Sequence, residues 1–202
     1  MRLALPNVTL LAVDCVDFNR ARAAVEFSKR DIEFGCVKLL THFEVEDPLV
    51  QRISRISSIE DYSKFMIREL TKYFDTEFVM IVQWDGLILD ATLWSNDFLM
   101  YDYIGAPWTP LTLKPGVPKQ FNVGNGGFSI RSKRLHDRLA VDENLVMHEA
   151  EDVVICQLNR SYLELLGYKF APYEIAERFS WETGIPRPTF GSHGRHKIML
   201  SG

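Results

Sequence analysis

Apolar positions in this chain gather into runs that differ in periodicity. Val8-Thr9-Leu10-Leu11-Ala12-Val13 and Phe78-Val79-Met80-Ile81-Val82 are nearly continuous. Such runs, rich in β-branched residues, predict strands covered on both faces. The first ends at Asp14 and the second at Gln83-Trp84-Asp85-Gly86. Between them Glu33–Leu40 forms another predicted strand. A helix is expected over roughly 19–28, where Ala21, Ala24, Val25 and Phe27 share a face. Residues 42–58 are polar and mixed, with a turn at Asp47-Pro48. Ser58-Ile59-Glu60-Asp61 is a capping box that opens a helix from about Ile59 to Tyr73, with Tyr62, Phe65, Met66 and Leu70 as its stripe. Strand, helix, strand, helix, strand in this order implies a largely parallel sheet with right-handed crossovers.

The pattern changes after Asp85. Residues 107–118 hold four of the nine prolines, Pro107, Pro110, Pro115 and Pro118, and predict a long loop at the border of a cleft. Phe128–Ile130 reads as a short strand and Ser132–Leu139 as a helix. Asp152–Cys156 leads into a helix carrying Leu158, Tyr162, Leu165 and Leu166, closed by Gly167. Tyr168–Ala171 is a last short strand. The expected fold is α/β: a central, mostly parallel sheet flanked by helices, one domain over residues 1–202.

Composition narrows the class without naming it. With 47% hydrophobic and 25% charged residues, the chain has the balance of a soluble globular protein, and its net charge of −4 argues against a nucleic-acid binder. Cys15, Cys36 and Cys156 are too few and scattered for a disulfide framework. Buried free thiols and a reducing, cytoplasmic compartment are expected. No run approaches the ~18 apolar residues of a spanning helix. Met1–Val8, interrupted by Pro6-Asn7, reads as a first strand rather than a leader.

Four segments carry candidate chemistry. Asp85 ends a buried strand, where a cation or polyphosphate is held in open α/β sheets; an Asp-Gly turn in solvent is the other reading. Asn122–Ser129 places Gly124, Gly126 and Gly127 in one turn, which allows positive φ, close backbone approach and amide contacts to a ligand. It lacks the lysine of a P-loop, and a plain turn before a strand is its alternative. Glu149, Glu151 and Asp152 fall within four residues before an apolar run. They either complement a helix N-terminus or hold a general base at a cleft mouth. His193 lies between glycines, in a setting that suits a metal, whereas His42, His136, His148 and His196 lie in polar stretches expected at the surface.

These pieces stand in one order: Gln83-Trp84-Asp85, Tyr103-Ile104-Gly105-Ala106-Pro107-Trp108, Gly124-Asn125-Gly126-Gly127-Phe128-Ser129, Glu151-Asp152-Val153 and Gly191-Ser192-His193-Gly194. In this the chain resembles the DUF5672 family, which looks like a compact version of the GT-A nucleotide-sugar glycosyltransferases. The resemblance covers roughly residues 55–195. It implies transfer of a sugar, with inversion, from a nucleotide-diphosphate donor, a UDP-sugar by family analogy, to a hydroxyl acceptor. Asp85 matches the second carboxylate of the family's Asp-x-Asp metal motif, and Gln83 replaces the first. His193 matches the late histidine that completes coordination of Mn2+ or Mg2+. Asp14, Gln83, Trp84, Asp85, Asn125, Gly126 and Gly127 are the implied donor-site residues. Asp152 is the implied base, and Glu151, Trp108 and Trp181 are implied sugar or acceptor contacts; a core residue is the alternative for each tryptophan, and an equal one for Trp108. The acceptor stays open among a glycan, a lipid-linked saccharide, a protein and a modified nucleobase. Gln83, by removing a charge, favours a different class: a non-catalytic carbohydrate- or nucleotide-sugar-binding module on a degenerate GT-A scaffold. A nucleotidyltransferase would want a further acidic ligand and a basic glycine-rich loop near the N-terminus, which the chain lacks.

Overall fold

The computed structural model describes residues 2–109, 112–183 and 186–194. Its six-stranded sheet runs β3-β2-β1-β4-β7-β6, with β1 Leu3–Val13, β2 Ile32–Thr41, β3 Val50–Arg52, β4 Phe78–Val82, β6 Tyr103–Gly105 and β7 Phe128–Ser132. The first four strands in that order pair in parallel, β7 is antiparallel to β4, and β6 is antiparallel to β7. The expected α/β architecture is present.

The continuous apolar runs have a direct cause. Successive side chains of a strand point to opposite faces. Val8, Leu10 and Ala12 of β1 and Phe78, Met80 and Val82 of β4 join one core with Ala21 and Val25 of α1 (Phe18–Lys29). Leu11 and Val13, with Val79 and Ile81, join a second core with Met66 of α2 (Ile59–Arg68). Both faces are covered, so apolar residues prevail on each and the buried Thr9 is paired with Thr76 at 2.7 Å. Each fully buried aliphatic side chain contributes roughly 1.5–3 kcal/mol.

Both predicted helix starts are capped by side chains. Asp17 accepts the Arg20 amide at 3.1 Å and Ser58 the Asp61 amide at 3.0 Å. The predicted helix to Tyr73 divides at Arg68, and a 3₁₀ turn follows at Leu70–Tyr73. Lys133 Nζ donates to the Thr71 carbonyl at 2.6 Å, so the tightened end is satisfied from α3 (Lys133–Val141).

The helix predicted after Asp152 is interrupted. A short α4 (Glu151–Val153) runs into a π turn at Val154–Leu158 before α5 (Arg160–Leu165). The Asn159 amide bonds the Val154 carbonyl at 3.0 Å, one residue beyond helical spacing. That extra residue rotates the face that follows. Leu163 is buried, whereas Leu165 is 87% and Leu166 43% exposed, contrary to the expected stripe. Tyr168–Ala171 makes a single bridge, Tyr103 to Phe170, rather than a strand. Helix α6 (Tyr173–Phe179) and a small sheet β5-β9-β8, from Gly86–Ile88, Gly191–His193 and Ser180–Trp181, were not expected. Strands of two or three residues carry no readable periodicity. Among the described residues no helix is long and apolar enough to cross a membrane.

Candidate functional site

Pairing directions bring the motifs together. Strands β1 and β4 are parallel, so Asp14 and Asp85 leave the sheet at the same edge. In the antiparallel pair β4–β7, Val82 stands opposite Phe128, which places Asn125-Gly126-Gly127 at that edge as well. In the small sheet Gly86 stands opposite His193, which returns the late histidine to the end of β4.

His193 sits among these segments. Its Nε2 is 3.5 Å from Asp85 Oδ1 and 3.4 Å from Gln83 Oε1. Its Nδ1 is 3.2 Å from Glu182 Oε1 and 3.1 Å from Asn125 Nδ2. Asn125 also donates to Glu182 at 2.7 Å. Burial disfavours the imidazolium, but the hydrogen bonds and charges of Asp85 and Glu182 outweigh it and raise His193 to about 9. The Gln83 carboxamide is oriented by donation from Nε2 to Tyr62 Oη at 3.0 Å, leaving Oε1 toward the histidine. Gly127 is required here by space: a Cβ would fall 2.2 Å from His193 Nε2 and 2.7 Å from Gln83 Oε1.

Asp152 forms another wall. Its Oδ2 accepts the Gly126 amide at 3.1 Å and its Oδ1 the Val153 amide at 2.8 Å. Burial, followed by the neighbouring Glu151 charge, pushes its carboxyl up to about 7 against the pull of those amides and Arg131. Glu151 turns inward and pairs with Arg131 at 2.9 Å. Gly126 admits this pair, since a Cβ there would stand 2.3 Å from Glu151 Oε1. The acidic segment does not act as a side-chain cap: Ala150 holds the cap position of α4.

The glycine-rich turn corrects one expectation. Positive φ among the described glycines occurs at Gly116, Gly167 and Gly194, not in this turn. Its amides are also engaged internally. Gly127 and Phe128 donate to Asn125 Oδ1 at 3.1 and 3.3 Å, and Gly126 donates to Asp152. The glycines serve close packing, not a bare anion nest.

The other candidates divide between two cavities. Asp14 accepts the amides of Val16 and Asp17 at 2.6 and 2.8 Å. With Arg20, Tyr62, Gln83 and Trp84 it lines a cavity of about 650 Å³. The Arg20 guanidinium lies 5.2 Å over the Trp84 ring. Half-buried Trp108 lines a cavity of about 270 Å³ with Thr112, Asn125, Asp152, Gln157 and Glu182. Trp181 is 7% exposed and donates its indole N–H to the Thr183 carbonyl at 2.9 Å, so its ring belongs to the interior rather than to a sugar platform.

One surface assignment and one burial expectation are overturned. His136 is fully buried, packed edge-on to Phe74 at 5.8 Å, and both ring nitrogens are without hydrogen-bond partners. It falls on the core face of α3, whose other buried positions are Leu135 and Leu139. Among the thiols Cys156 is buried, whereas Cys15 and Cys36 are only partly so. His196 and part of the proline-rich loop, Pro110 and Leu111, lie outside the described residues.

Three site residues were not found from sequence. Arg131 lies in an alternating strand whose polar positions suggest a solvent face, yet both faces are covered. Glu182 lies outside any periodic segment, and Tyr62 reads simply as part of a helix stripe.

Comparison with known proteins agrees with this architecture. The model of a family described as proteins of unknown function, DUF5672, matches residues 49–193. No curated protein matches the chain. Among solved structures, the mannosyltransferase PcManGT from Pyrobaculum calidifontis, in complex with GDP-Man and Mn2+, aligns with a TM-score of 0.50 and 10% identity over 84% of this chain and 56% of that one. The bifunctional IspDF from Campylobacter jejuni aligns at 0.47 and 13% identity over 81% and 48% of the two chains. An active-site mutant of LgtC aligns at 0.47 and 14% over 92% and 86%. The chain thus spans about half the length of the first two. The fold is GT-A-like.

Proposed function

The chain belongs to the DUF5672 family, and from that premise we propose that it is a glycosyltransferase acting on a nucleotide-diphosphate sugar and a hydroxyl acceptor. The observation that carries the reading is the meeting of Asp85 and His193, 3.5 Å apart at the sheet edge, with Asp152 on the other side of the Asn125–Gly127 turn. Transfer needs a place for a diphosphate and a base for the acceptor. These two groups of residues supply one each.

The donor set fits a divalent cation in part. Asp85 offers a hard oxygen, His193 a nitrogen, and Gln83 a neutral oxygen facing the same imidazole. This combination suits Mn2+ or Mg2+. Among the described residues no group of three acidic, histidine or cysteine side chains could hold a metal; Asp85, His193 and Gln83 would hold it together with the donor. The cation, when bound, neutralises charge on the leaving diphosphate. PcManGT, with its GDP-Man and Mn2+, supports this use of the fold.

Asp152 takes the acceptor proton as the hydroxyl oxygen attacks the anomeric carbon. The bond from that carbon to the diphosphate oxygen breaks, and its electron pair leaves with the diphosphate. A carboxyl raised to about 7 is matched to this task near neutral pH. The cavity lined by Asp14, Arg20, Tyr62 and Trp84 is where the nucleotide would lie, and the cavity lined by Trp108, Asp152 and Glu182 is where sugar and acceptor would meet. Glycans, lipid-linked saccharides, proteins and modified nucleobases are the acceptor classes to test.

A second reading has one specific observation in its favour. Gln83 occupies the place of a metal-binding carboxylate and is tied to Tyr62. A binding module on the same scaffold follows if that loss abolished turnover. A thermal-shift panel of nucleotide sugars with and without Mn2+, followed by measurement of nucleoside diphosphate release with candidate acceptors, separates the readings. Stabilisation with release supports the transferase, and stabilisation without release across the acceptor classes supports the module. No stabilisation by any donor would sink both.

A further inference from the structure

Arg131 takes no part in the reading so far. It is fully buried, and among the described residues it is the largest side chain so placed. Its Nη2 donates to Glu151 Oε1 at 2.9 Å and to the Gly126 carbonyl at 3.2 Å, and its Nε donates to Ser129 Oγ at 3.0 Å. Its guanidinium lies 5.0 Å over the Tyr103 ring, and Nη1 is buried without a hydrogen-bond partner. Glu151 and Asp152 are consecutive, but they meet different partners. Glu151 receives the guanidinium, whereas Asp152 receives only the backbone amides of Gly126 and Val153. Gly126 is held at both its polar groups, its carbonyl by Arg131 and its N–H by Asp152.

Two neighbouring carboxylates sharing one buried cation do not ionise equally. The cost of burial falls on the one outside the ion pair. We propose that Arg131 is a positioning residue that pairs with Glu151, fixes Gly126 against Asp152, and so makes Asp152 rather than Glu151 the carboxylate that exchanges a proton in the site. This deepens the transferase reading and rests on its assignment of Asp152 as the base. The titratable and charged groups facing Asp152 come from every packed element. Glu151 on its own helix and Arg131 from β7 act through their charge, Tyr62 from α2, Tyr103 from β6 and Cys156 from the turn that follows are held neutral by burial, and Glu182 stands across the cavity.

The test follows the Asp152 carboxyl carbon by NMR in the full chain labelled at aspartate, from pH 4 to pH 10, with Asp152→Asn to assign the signal. In Glu151→Gln the midpoint should fall by roughly 1–3 pH units, because the like charge is gone and the cation remains. In Arg131→Met the signal should lose its separate midpoint and broaden, because neither carboxyl is then the paired one, and Arg131→Lys should restore the wild-type titration. If Arg131→Met does not fold, the glutamine and lysine variants carry the test. Midpoints unchanged in Glu151→Gln and Arg131→Met, or a lysine variant indistinguishable from the methionine one, would overturn the proposal. The base reading fails separately: the titrations behave as expected while Asp152→Asn leaves transfer unaffected.

Discussion

On the proposed reading, Asp152 is where chemistry and stability oppose each other. The folded chain keeps its proton up to about pH 7, whereas the ordinary aspartate value is 3.8. Folding therefore takes up a proton between those values. The resulting stability is present below pH 3.8 and is lost as the pH rises through about 7. Asparagine cannot ionise. Asp152→Asn should thus melt higher than wild type at pH 8, by roughly 2–4 °C for each kcal/mol recovered, and nearly level with it at pH 4. The same variant should keep donor binding and lose transfer by roughly 10²–10⁴-fold. Melting curves at the two pH values and one rate measurement check both halves. His136 gives the opposite slope. Burial, then Arg131 and Lys133, hold its ring well below the usual histidine value of 6.5, so folding excludes a proton as the pH falls past that point. Stability should decline on acidification by up to about 1.4 kcal/mol per pH unit from this group. His136→Leu, which removes two unpartnered nitrogens from the core, should flatten that acid limb in thermal scans between pH 7 and pH 5.

The turn before β7 does its work through small size. Gly127→Ala would drive a methyl group into His193 Nε2 and Gln83 Oε1. The histidine must give way, so the expected outcome is a loss of about 1–3 kcal/mol in stability from overpacking. A weaker Mn2+ response should accompany it. Denaturant unfolding and Mn2+ titration of this variant check the two effects. The turn also marks how far sequence reaches at the scale of elements. Strands β1 and β4 were legible because two covered faces favour nearly unbroken apolar runs, α1 by its apolar face, and α2 because its capping box and stripe agree. The π turn after Val153 was not legible, since one extra residue rotates the face without changing composition, and Leu165 and Leu166 were misplaced for that reason. The strands Ser180–Trp181 and Gly191–His193 are fixed by pairing, not by local pattern. At the site, Asp85, Asp152 and His193 stood out by their settings. Arg131 and Glu182 did not, because each is explained only by a partner distant in sequence, Glu151 and His193 respectively.

On the scale of the whole molecule, the strand pairings explain why the candidate residues gather at one sheet edge. Parallel strands send Asp14 and Asp85 to that edge. Strand β7 is antiparallel to β4 and β9 is antiparallel to β5, so the segments at Gly126 and His193 reach the end of β4 from later in the chain. The central claim is that this edge binds a nucleotide sugar through a divalent cation and transfers its sugar with Asp152 as base. The most direct single measurement is calorimetric titration of nucleotide sugars into wild type, Asp85→Ala and Asp152→Asn, each with and without Mn2+. Wild type should bind one class of donor in an Mn2+-dependent manner, Asp85→Ala should lose that binding, and Asp152→Asn should retain it. Donor binding indifferent to both Mn2+ and Asp85, or no binding of any nucleotide sugar, would contradict the claim.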